Sequence, residues 1–413
     1  MTYNNNIKLL NKNNIQKSAK IIEGISYFDY LPIAVEIEGN QIKNIKRLPE
    51  LSDKSEPYFI APGLIDIQVN GYLSVSFSFE GANELDAGSN ELSVSDCRKV
   101  TEALWKEGIT SYFPTLTTNS QELLLKNFRI LAGAKDDPTL MGSIAGFHLE
   151  GPYISPVDGY RGAHPKEYVR QPDWSEFMQL YKASGENILL VTVAPEVNGA
   201  LEFIIKCKEK GLVISLGHHN GSAEMIKAAI DNGAGLATHL GNGCASFINR
   251  HINPIWPQLA DERLTASIIC DGFHLPPEII RVFYKVKGAD NIIITSDITN
   301  FAGLPPGEYR NKKGETIIKT QEGNLRFSGQ EGGLYGSATP LTKGVGHIMK
   351  ITGCSLAKAI RMVTANPARL HNLHDRGKLE PGKRADIILF SMDDFEMKIK
   401  KTIVAGKVVY QAD

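Results

Sequence analysis

The sequence predicts an α/β fold: a (β/α)8 barrel of the TIM type, with a small β-sandwich domain built from the N- and C-terminal segments. Three observations lead to this prediction. Short apolar segments recur through the middle of the chain, with amphipathic stretches between them. These apolar segments lack polar alternation, which is typical of parallel strands buried on both faces. The two ends of the chain instead contain short alternating runs joined by turns.

Eight candidate strands alternate with helical stretches, which is the number that a closed (β/α)8 barrel requires. Amphipathic segments such as 95–108, 200–211 and 222–233 would supply helices between the strands. The candidate strands are residues 61–69, 109–116, 143–150, 187–195, 212–219, 234–240, 265–271 and 291–297.

An insertion interrupts this alternation of strands and helices after the eighth strand. Residues 301–336 are rich in Gly and Pro and contain the short β-like runs GETIIKT and NLRFSG. A long connection without regular structure is unusual in a compact domain. We therefore expect a hairpin insertion that caps the mouth of the barrel.

Both ends of the chain are expected to contribute to the small β domain. Residues 33–45 (IAVEIEGNQIKNI) contain two β-like runs around a Gly-Asn turn, which is a good hairpin signal. Near the C-terminus, ADIILF and KKTIVAGKVVY have the same character. The sequence therefore predicts a small β domain from residues 1–60 and 373–413, with the barrel at 61–372.

Charge and cysteine content exclude several classes of protein. Among the 413 residues, 45 Lys and Arg balance 46 Asp and Glu, so no basic surface for nucleic acid is indicated. A run of about 20 apolar residues is absent, which argues against a membrane partner, and the N-terminus lacks the features of a secretory signal. The five cysteines are scattered without a CxxC pair, as is typical of a reducing compartment. We therefore expect a cytoplasmic protein.

Polar side chains stand at the ends of several predicted barrel strands. They are Glu150 in FHLE, His218 and His219 in LVISLGHH, His239 in LATHL, and Asp297 in NIIITSD. Because the carboxyl ends of barrel strands carry the active site, we expect these side chains to converge. Two imidazoles and one carboxylate form a ligand set for a catalytic divalent metal with an open position. Asp297 is then free for proton transfer.

Each of these side chains also has an ordinary structural explanation. A lone histidine near a strand end is more often a hydrogen-bonded core or surface residue than a ligand, and a lone carboxylate often caps the following helix. Four such residues on four strands of one predicted barrel favour the catalytic interpretation. Either His218 or His219 could be the ligand, with the other behind it.

Several short motifs occur in an order that covers nearly the whole chain. They are APGLIDIQVNG (61–71), GFHLEGPYISP with GAHP (146–165), VTVAPE (191–196), SLGHHNGS (215–222), ATHLGN (237–242), IICDGFHL (268–275), ITSDIT (294–299), GLYGSATPLTKGV (333–345) and VTANPARLHNL with GKLEPGKRADIILF (363–390). In these motifs the chain resembles the amidohydrolase superfamily and, within it, the N-acetylglucosamine-6-phosphate deacetylases. PGLID and PGKRADIILF occur across many amidohydrolases, whereas HLEGPY followed by GAH is particular to the deacetylases.

This resemblance implies catalytic roles residue by residue. Glu150, His218 and His239 match the metal ligands of the family. Asp297 matches its general base and acid, and His164 matches a second catalytic residue beside the scissile acetamide. For Glu150, His218, His239 and Asp297, these roles agree with their positions at the ends of predicted strands.

The resemblance also implies a set of substrate contacts. The phosphate is expected to meet Asn242, Gly243 and Arg250, while Leu334 and Tyr335 are expected to close the pocket. In the family, the counterpart of Arg250 can reach into the site of the neighbouring subunit, so a homodimer is implied. The expected substrate-binding residues are Ala163, His164, Asn242, Gly243, Arg250, Asp271, His274, Leu334 and Tyr335.

The end of the first barrel strand bears on the number of metal ions. Many amidohydrolases have His-x-His there, which holds a second metal, whereas this chain has Gln68-Val69-Asn70. Amides are poor ligands for a divalent transition metal compared with imidazole, so we expect one divalent metal ion per subunit, with Zn²⁺ and Fe²⁺ both suitable. Alternatively, Gln68 and Asn70 hydrogen-bond the barrel floor, which predicts the same single metal.

The expected activity is metal-dependent hydrolysis of the acetamide of N-acetylglucosamine 6-phosphate, giving glucosamine 6-phosphate and acetate. A water activated by the metal would attack the amide, with Asp297 as general base and acid. The loop 241–260 departs from the family pattern, so a deacetylase for another N-acetyl amino sugar, phosphorylated or not, is the nearest alternative. A catalytically silent barrel that serves as a binding module is the alternative of a different class.

Overall fold

The first described strands form part of a sheet that lies outside the barrel. They are β1 (Lys20–Ser26), β2 (Pro32–Glu38), β3 (Gln41–Arg47) and β4 (Phe59–Pro62). The hairpin predicted from IAVEIEGNQIKNI is formed by β2 and β3, which are antiparallel. The computed structural model describes residues 20–53, 56–78, 91–311, 314–329 and 334–412, so the predicted domain segment before residue 20 lies outside the described residues.

Within the described residues, eight parallel strands form the predicted barrel, with one short hairpin (β6 and β7) after its first strand. The strands fall inside the predicted segments, apart from one residue at the end of the second. A parallel bridge between Val69 and Ile298 closes the ring. The bounds are β5 (Leu64–Val69), β6 (Gly71–Tyr72), β7 (Val75–Ser76), β8 (Ile109–Thr117), β9 (Phe147–Glu150), β10 (Ile188–Val193), β11 (Val213–Leu216), β12 (Ala234–Ala237), β13 (Thr265–Ile268) and β14 (Ile292–Ile294).

Several helices begin where a side chain caps the first turn. Ser93 and Asp96 form a reciprocal capping box at the first helix, and Ser120, Asp173 and Ser222 cap three others. Among the described residues, none of the helices has the length and apolar character needed to cross a membrane. The helices are α1 (Val94–Lys106), α2 (Gln121–Lys135), α3 (Trp174–Ala183), α4 (Ala200–Glu209), α5 (Ala223–Asp231), α6 (Ile255–Ala260), α7 (Pro277–Lys287), α8 (Leu341–Thr352), α9 (Leu356–Met362) and α10 (Ala365–Leu370).

Apolar side chains fill the inside of the barrel towards the amino ends of its strands. The α10 helix packs against β5 and β14 at this end. Because bulky side chains occupy this end, the polar groups gather at the carboxyl ends, as in other barrels of this type. The buried residues of this cluster are Ile65, Ile67, Phe113, Leu190, Leu236, Ile293 and Ala368.

The insertion after the last barrel strand takes the form of a small antiparallel sheet. Its strands, within the part of the insertion that is described, are β15 (Gly307–Arg310), β16 (Thr316–Lys319) and β17 (Leu325–Phe327). Lys319 Nζ donates to the carbonyl oxygens of Phe301 (3.2 Å) and Leu304 (2.6 Å). The ring of Tyr335 packs against those of Phe301 and Phe327. These contacts attach the insertion to the segment that follows the barrel.

The C-terminal strands complete the outer sheet. They are β18 (Ile387–Asp393), β19 (Glu396–Val404) and β20 (Lys407–Gln411), and β18 pairs antiparallel with β4. The described strands of this sheet run in the order β20-β19-β18-β4-β1-β2-β3, so both ends of the chain build it. Apolar side chains from both halves form one buried cluster. The predicted fold class, a barrel with a small β domain, is confirmed; the domain limits at residues 60 and 372 stay predictions.

Asp66 secures the seam where the barrel closes. It is wholly buried on β5. Its carboxylate accepts hydrogen bonds from Thr295 Oγ1 (2.9 Å), from Ser296 N (3.2 Å), from Ser296 Oγ and from Gln68 N (3.3 Å). The carboxylate of Asp66 therefore links the first barrel strand, β5, to Thr295 and Ser296, which follow the last barrel strand and directly precede Asp297.

Replacing Asp66 tests the importance of this seam for stability. We expect Asp66→Ala to lower the free energy of unfolding by at least about 2 to 4 kcal/mol, because four donors lose their acceptor and each one left without a partner costs about 1 to 3 kcal/mol. Denaturant unfolding followed by circular dichroism measures the change. The control is Asp136→Ala, an exposed aspartate at the end of α2, which should stay within about 0.5 kcal/mol of the wild type. Equal stabilities of the two variants would contradict the assignment.

Candidate active site

The predicted catalytic side chains meet at the carboxyl ends of the barrel strands. Glu150 is the last residue of β9, and the other three follow β11, β12 and β14 within three residues. His218, His239 and Asp297 adopt positive φ angles of 50°, 30° and 51°. Such angles are rare for residues other than glycine and persist where the surrounding structure holds a functional side chain in place. The left-handed backbone conformation at these three residues therefore directs their side chains into the mouth of the barrel.

One oxygen of Glu150 lies at the centre of the cluster. Its Oε1 is 3.0 Å from Nε2 of His239 and 3.3 Å from Nε2 of His218. In a tetrahedral zinc site with bonds of about 2.0 to 2.2 Å, neighbouring ligand atoms lie about 3.3 Å apart. The two distances from Glu150 Oε1 are therefore compatible with ligands that share a single divalent cation.

A backbone carbonyl orients the ring of His218. Nδ1 of His218 lies 3.2 Å from the carbonyl oxygen of Tyr160. This oxygen can only accept, so Nδ1 carries the proton. Nε2 is then directed at Glu150 Oε1, and either a shared proton or a shared metal cation can lie between these two buried atoms. His219 points away, since its Nδ1 accepts from Gly221 N at 3.2 Å. Of the two histidines that the sequence left open, His218 is the one that faces the cluster.

Two amide side chains from the first strand end bind the carboxylates of the site. Gln68 Nε2 donates to Asp297 Oδ1 (2.9 Å) and to Glu150 Oε1 (3.0 Å). Asn70 Nδ2 donates to the same oxygen of Asp297 at 2.7 Å. Gln68 and Asn70 thus bond the active-site carboxylates, and not the barrel floor that was considered from the sequence.

Burial and mutual contacts shift the pKa values of the cluster in opposite directions. Burial alone would raise the pKa of Glu150, but its hydrogen bonds with His218 and His239 outweigh burial and hold this pKa well below its ordinary value. The pKa of Asp297 is raised to about 6 by burial and by the negative charge of Glu150. Burial would lower the pKa of His239, yet its contact with Glu150 raises it. The negative charge of Glu150 therefore contributes to the raised pKa values of both Asp297 and His239.

His164 lies against the same cluster. Its ring centroid is 4.3 Å from that of His218, and its Nδ1 is 2.8 Å from Thr118 Oγ1. One ligand atom each from Glu150, His164 and His218 fall within 4.8 Å of one another. The structure thus places His164, which was not predicted as a ligand, within reach of two of the three predicted ligands.

Asp271 and His274 form a pair near the mouth. Asp271 accepts hydrogen bonds from the backbone N–H groups of Phe273 (2.8 Å) and His274 (3.0 Å), and its other oxygen lies 2.7 Å from Nδ1 of His274. Burial would raise the pKa of Asp271, but these bonds lower it to about 2. Both oxygens of Asp271 are engaged, so its effect on a substrate would pass through His274.

The loop after β12 packs closely against the imidazoles. A Cβ atom on Gly243 (φ 61°) would lie 3.0 Å from His239 Cε1 and 3.1 Å from the ring of His218. Any larger residue at position 243 would therefore displace both imidazoles. Nδ2 of Asn242 is buried without a hydrogen-bond partner among the described residues, so it remains available to a ligand.

Three other expected pocket residues make their contacts outside the buried cluster. Ala163 is exposed directly before His164. Leu334 forms a backbone bridge with Arg326 at the end of the inserted sheet, and Tyr335 packs into the aromatic cluster of that sheet.

Arg250 stands apart from the buried cluster. It is exposed on the loop between β12 and α6, and its carbonyl oxygen accepts a hydrogen bond from Trp256 Nε1 at 2.9 Å. Phe247 (96% exposed) and Ile252 (78% exposed) flank it. Within the described residues of a single chain, no ion pair joins Arg250 to the site.

The sequence did not predict that Gln68, Asn70 and Thr118 contact the side chains of the site. Gln68 and Asn70 were treated as the absence of a metal-binding pair, although their position at a strand end was the signal for a role in the site. Thr118, which contacts His164, follows β8 directly but carries no motif that singles it out. Strand-end position was therefore a better guide than residue type.

Comparisons with known proteins agree with this geometry. The sequence model of the amidohydrolase family matches residues 59–409. The N-acetylglucosamine-6-phosphate deacetylase of Homo sapiens is 31% identical over 364 residues, which cover 86% of this chain and 84% of the human protein. The deacetylase of Bacillus subtilis is 29% identical over 355 residues, covering 85% of this chain and 84% of that protein.

Solved structures of the same enzyme class superpose closely. A mutant N-acetyl-D-glucosamine-6-phosphate deacetylase from Mycobacterium smegmatis, in complex with N-acetyl-D-glucosamine-6-phosphate, gives a TM-score of 0.82 at 26% identity and covers 95% of this chain and 99% of its own. The deacetylase from Pasteurella multocida gives 0.81 at 26% identity, covering 94% and 99%. The chain therefore belongs to the amidohydrolase family and, within it, to the N-acetylglucosamine-6-phosphate deacetylases.

Proposed function

We propose that this protein hydrolyses the acetamide of N-acetylglucosamine 6-phosphate, giving glucosamine 6-phosphate and acetate. The observation that carries this proposal is the buried cluster of Glu150, His218 and His239, with Asp297 beside it, at the mouth of the barrel. Membership of the deacetylase family supports the choice of substrate. The free state of all five cysteines supports a cytoplasmic location.

We infer that Glu150, His218 and His239 hold one divalent cation per subunit, with Zn²⁺ and Fe²⁺ both compatible with this ligand set. When bound, the cation lowers the pKa of water and polarises the amide carbonyl. Gln68 and Asn70 already direct N–H groups at the two carboxylates. This arrangement supports a single cation, because a donor N–H group occupies the space where a second ion would need a lone pair.

Asp297 would move the proton in the proposed reaction. As a water oxygen attacks the carbonyl carbon, the carboxylate of Asp297 accepts the water proton, and it returns this proton to nitrogen as the C–N bond breaks. The amine then leaves neutral, and the acetic acid product keeps the water oxygen with its second proton, which it loses to solvent to give acetate. The amides of Gln68 and Asn70 both bind Oδ1 of Asp297, which leaves Oδ2 for proton transfer.

His164 would stabilise the charge that develops on the substrate. It lies beside His218 with one ring nitrogen held by Thr118, and the other is available to the carbonyl oxygen. A hydrogen-bond donor directed at the position of the developing oxyanion lowers the activation barrier of the acyl-transfer reaction. The free Nδ2 of Asn242 would meet the sugar phosphate at the other end of the pocket.

We propose that the protein acts as a homodimer, and that the loop around Arg250 lies at the interface. Phe247, Ile252 and Trp256 expose large apolar surfaces on this loop. Large apolar side chains clustered on a surface are typical of protein–protein contacts. In such a dimer, Arg250 would reach the partner's phosphate site, which accounts for its distance from the cluster in its own chain.

Removing a ligand and removing the proton acceptor should have different effects. We expect Glu150→Gln and His239→Ala to lose most bound metal and activity. Asp297→Asn should keep the metal, while its kcat falls by about 10²- to 10⁴-fold, the usual contribution of general acid–base catalysis. Elemental analysis and steady-state rates measure both quantities. The control Glu209→Gln, at an exposed position on α4, should match the wild type. An inactive, metal-free wild type after Zn²⁺ reconstitution would favour the silent binding module.

Substrate choice can be tested with three sugars. We expect the highest kcat/KM for N-acetylglucosamine 6-phosphate, with lower values for its galacto epimer and for the unphosphorylated sugar. Arg250→Ala should lower kcat/KM for the phosphorylated sugar by about 10- to 100-fold, the loss of a charged hydrogen bond, and leave the unphosphorylated sugar unaffected. Arg129→Ala, on the exposed face of α2, is the control. Unchanged turnover of the phosphorylated sugar by Arg250→Ala would refute the phosphate assignment.

The proposed interface predicts a change of mass in solution. We expect the wild type to have the mass of two chains by light scattering, and the double variant Phe247→Asp/Ile252→Asp to have the mass of one, because carboxylates would be buried without partners at the contact. Tyr30→Asp changes an exposed aromatic residue in the connection between β1 and β2 of the outer sheet and should leave the dimer intact. A wild-type mass of one chain would refute the proposal.

A further inference from the structure

Two touching imidazoles of the site have opposite backbone partners. Nδ1 of His218 faces the carbonyl oxygen of Tyr160 at 3.2 Å. Nδ1 of His164 instead accepts from the backbone N–H of Thr118 at 3.4 Å and lies 2.8 Å from the hydroxyl of the same residue. The two ring centroids are 4.3 Å apart, and both side chains are buried. A carbonyl only accepts hydrogen bonds and an amide N–H only donates them, so the two rings are in different chemical environments.

These partners fix where each ring carries its proton. His218 must hold its proton on Nδ1, which leaves the lone pair of Nε2 for the cation that it would share with Glu150. His164 must present a lone pair at Nδ1 to the Thr118 N–H, so its proton sits on Nε2. Protonation of Nδ1 in His164 would set two N–H groups against each other in a buried site, which is unfavourable.

We propose that Thr118 is a positioning residue that keeps His164 as the Nε2–H tautomer and so makes it a hydrogen-bond donor and not a metal ligand. This inference rests on the proposed function, in which His164 donates to the substrate carbonyl. It also separates the four clustered side chains into three ligands, Glu150, His218 and His239, and one donor. A ring nitrogen that carries a proton has no lone pair for a cation.

The local backbone is built to let Thr118 reach this position. Gly151 directly follows Glu150, with φ 77°, and a Cβ atom there would lie 2.2 Å from Thr118 Oγ1. A side chain at position 151 would therefore push the hydroxyl away from His164. The same dipeptide thus supplies one metal ligand and the space for the residue that orients the donor.

The tautomer can be observed directly in the zinc-loaded wild-type enzyme. Nitrogen-15 NMR of protein labelled at the histidine rings distinguishes a protonated from an unprotonated ring nitrogen. The His164 signals are assigned by their loss in His164→Gln. We expect Nδ1 of His164 to be unprotonated and Nε2 to be protonated, with the reverse pattern for the coordinated His218. A proton on Nδ1 of His164 would overturn the proposal without reference to any activity measurement.

Substitutions at Thr118 test its positioning role. Thr118→Val keeps the backbone N–H that selects the tautomer but removes the hydroxyl that holds the ring in position. We expect its kcat to fall about tenfold, the loss of one buried hydrogen bond, with KM within about twofold and the zinc content unchanged. Thr118→Ser should restore kcat. The matched control is Thr117→Val, one residue earlier, whose side chain lies outside the His164 contacts. A wild-type kcat for Thr118→Val would overturn the proposal.

Substitutions at His164 separate a donor from a ligand. The side-chain amide of glutamine reaches the position of Nε2, whereas that of asparagine reaches only the position of Nδ1. We expect both His164→Gln and His164→Asn to bind zinc with wild-type stoichiometry, and His164→Gln to be the more active. Loss of zinc from both would show that His164 is a ligand and overturn the proposal. If the wild type does not turn over the sugar phosphate, the proposed function fails, while the NMR and zinc measurements still decide whether His164 is the Nε2–H tautomer and whether it is a ligand.

Discussion

Oxygen Oε1 of Glu150 is the point on which the site depends. Side chains from three other strand ends, those of Gln68, His218 and His239, lie within 3.0 to 3.3 Å of it. Buried polar groups are stable only when each has a partner or a bound cation, and removing one leaves the others unpaired. The barrel meets this requirement because it brings four strand ends to one rim. Asp66 secures the same rim by tying the first strand to the last.

The amides of the first strand give the site its electrostatic balance. Glu150 and Asp297 are two carboxylates close enough for the charge of one to raise the pKa of the other. Gln68 donates to both and Asn70 to Asp297, and such charge-assisted hydrogen bonds offset part of the repulsion. In the proposed one-metal site, a single cation and three N–H donors would thus support two carboxylates with separate tasks. Glu150 would hold the cation, and Asp297 would move the proton.

The barrel was predictable because its strands are buried on both faces. NIIITSD and NILLVTVAP each contain three or four consecutive apolar residues without polar alternation. In a parallel sheet covered by helices, such runs become strands wherever they lie along the chain. The pairing of β18 with β4 was predictable only in outline. Sequence shows that both ends are β-like, but the order of strands from distant segments depends on long-range packing. The inserted sheet was similarly expected as a hairpin, and the structure gives it a third strand.

For the active site, the sequence by itself determined which residues stand at strand ends, and therefore that Glu150, His239 and Asp297 would share one rim. Only the tertiary structure decided between His218 and His219, because the left-handed turn at His218 sets which ring faces inward. It also decided that Gln68 and Asn70 bind the carboxylates and that Thr118 meets His164. Strand periodicity is a local property of the chain, whereas a hydrogen bond between residues from different strands depends on the closed barrel that brings them together.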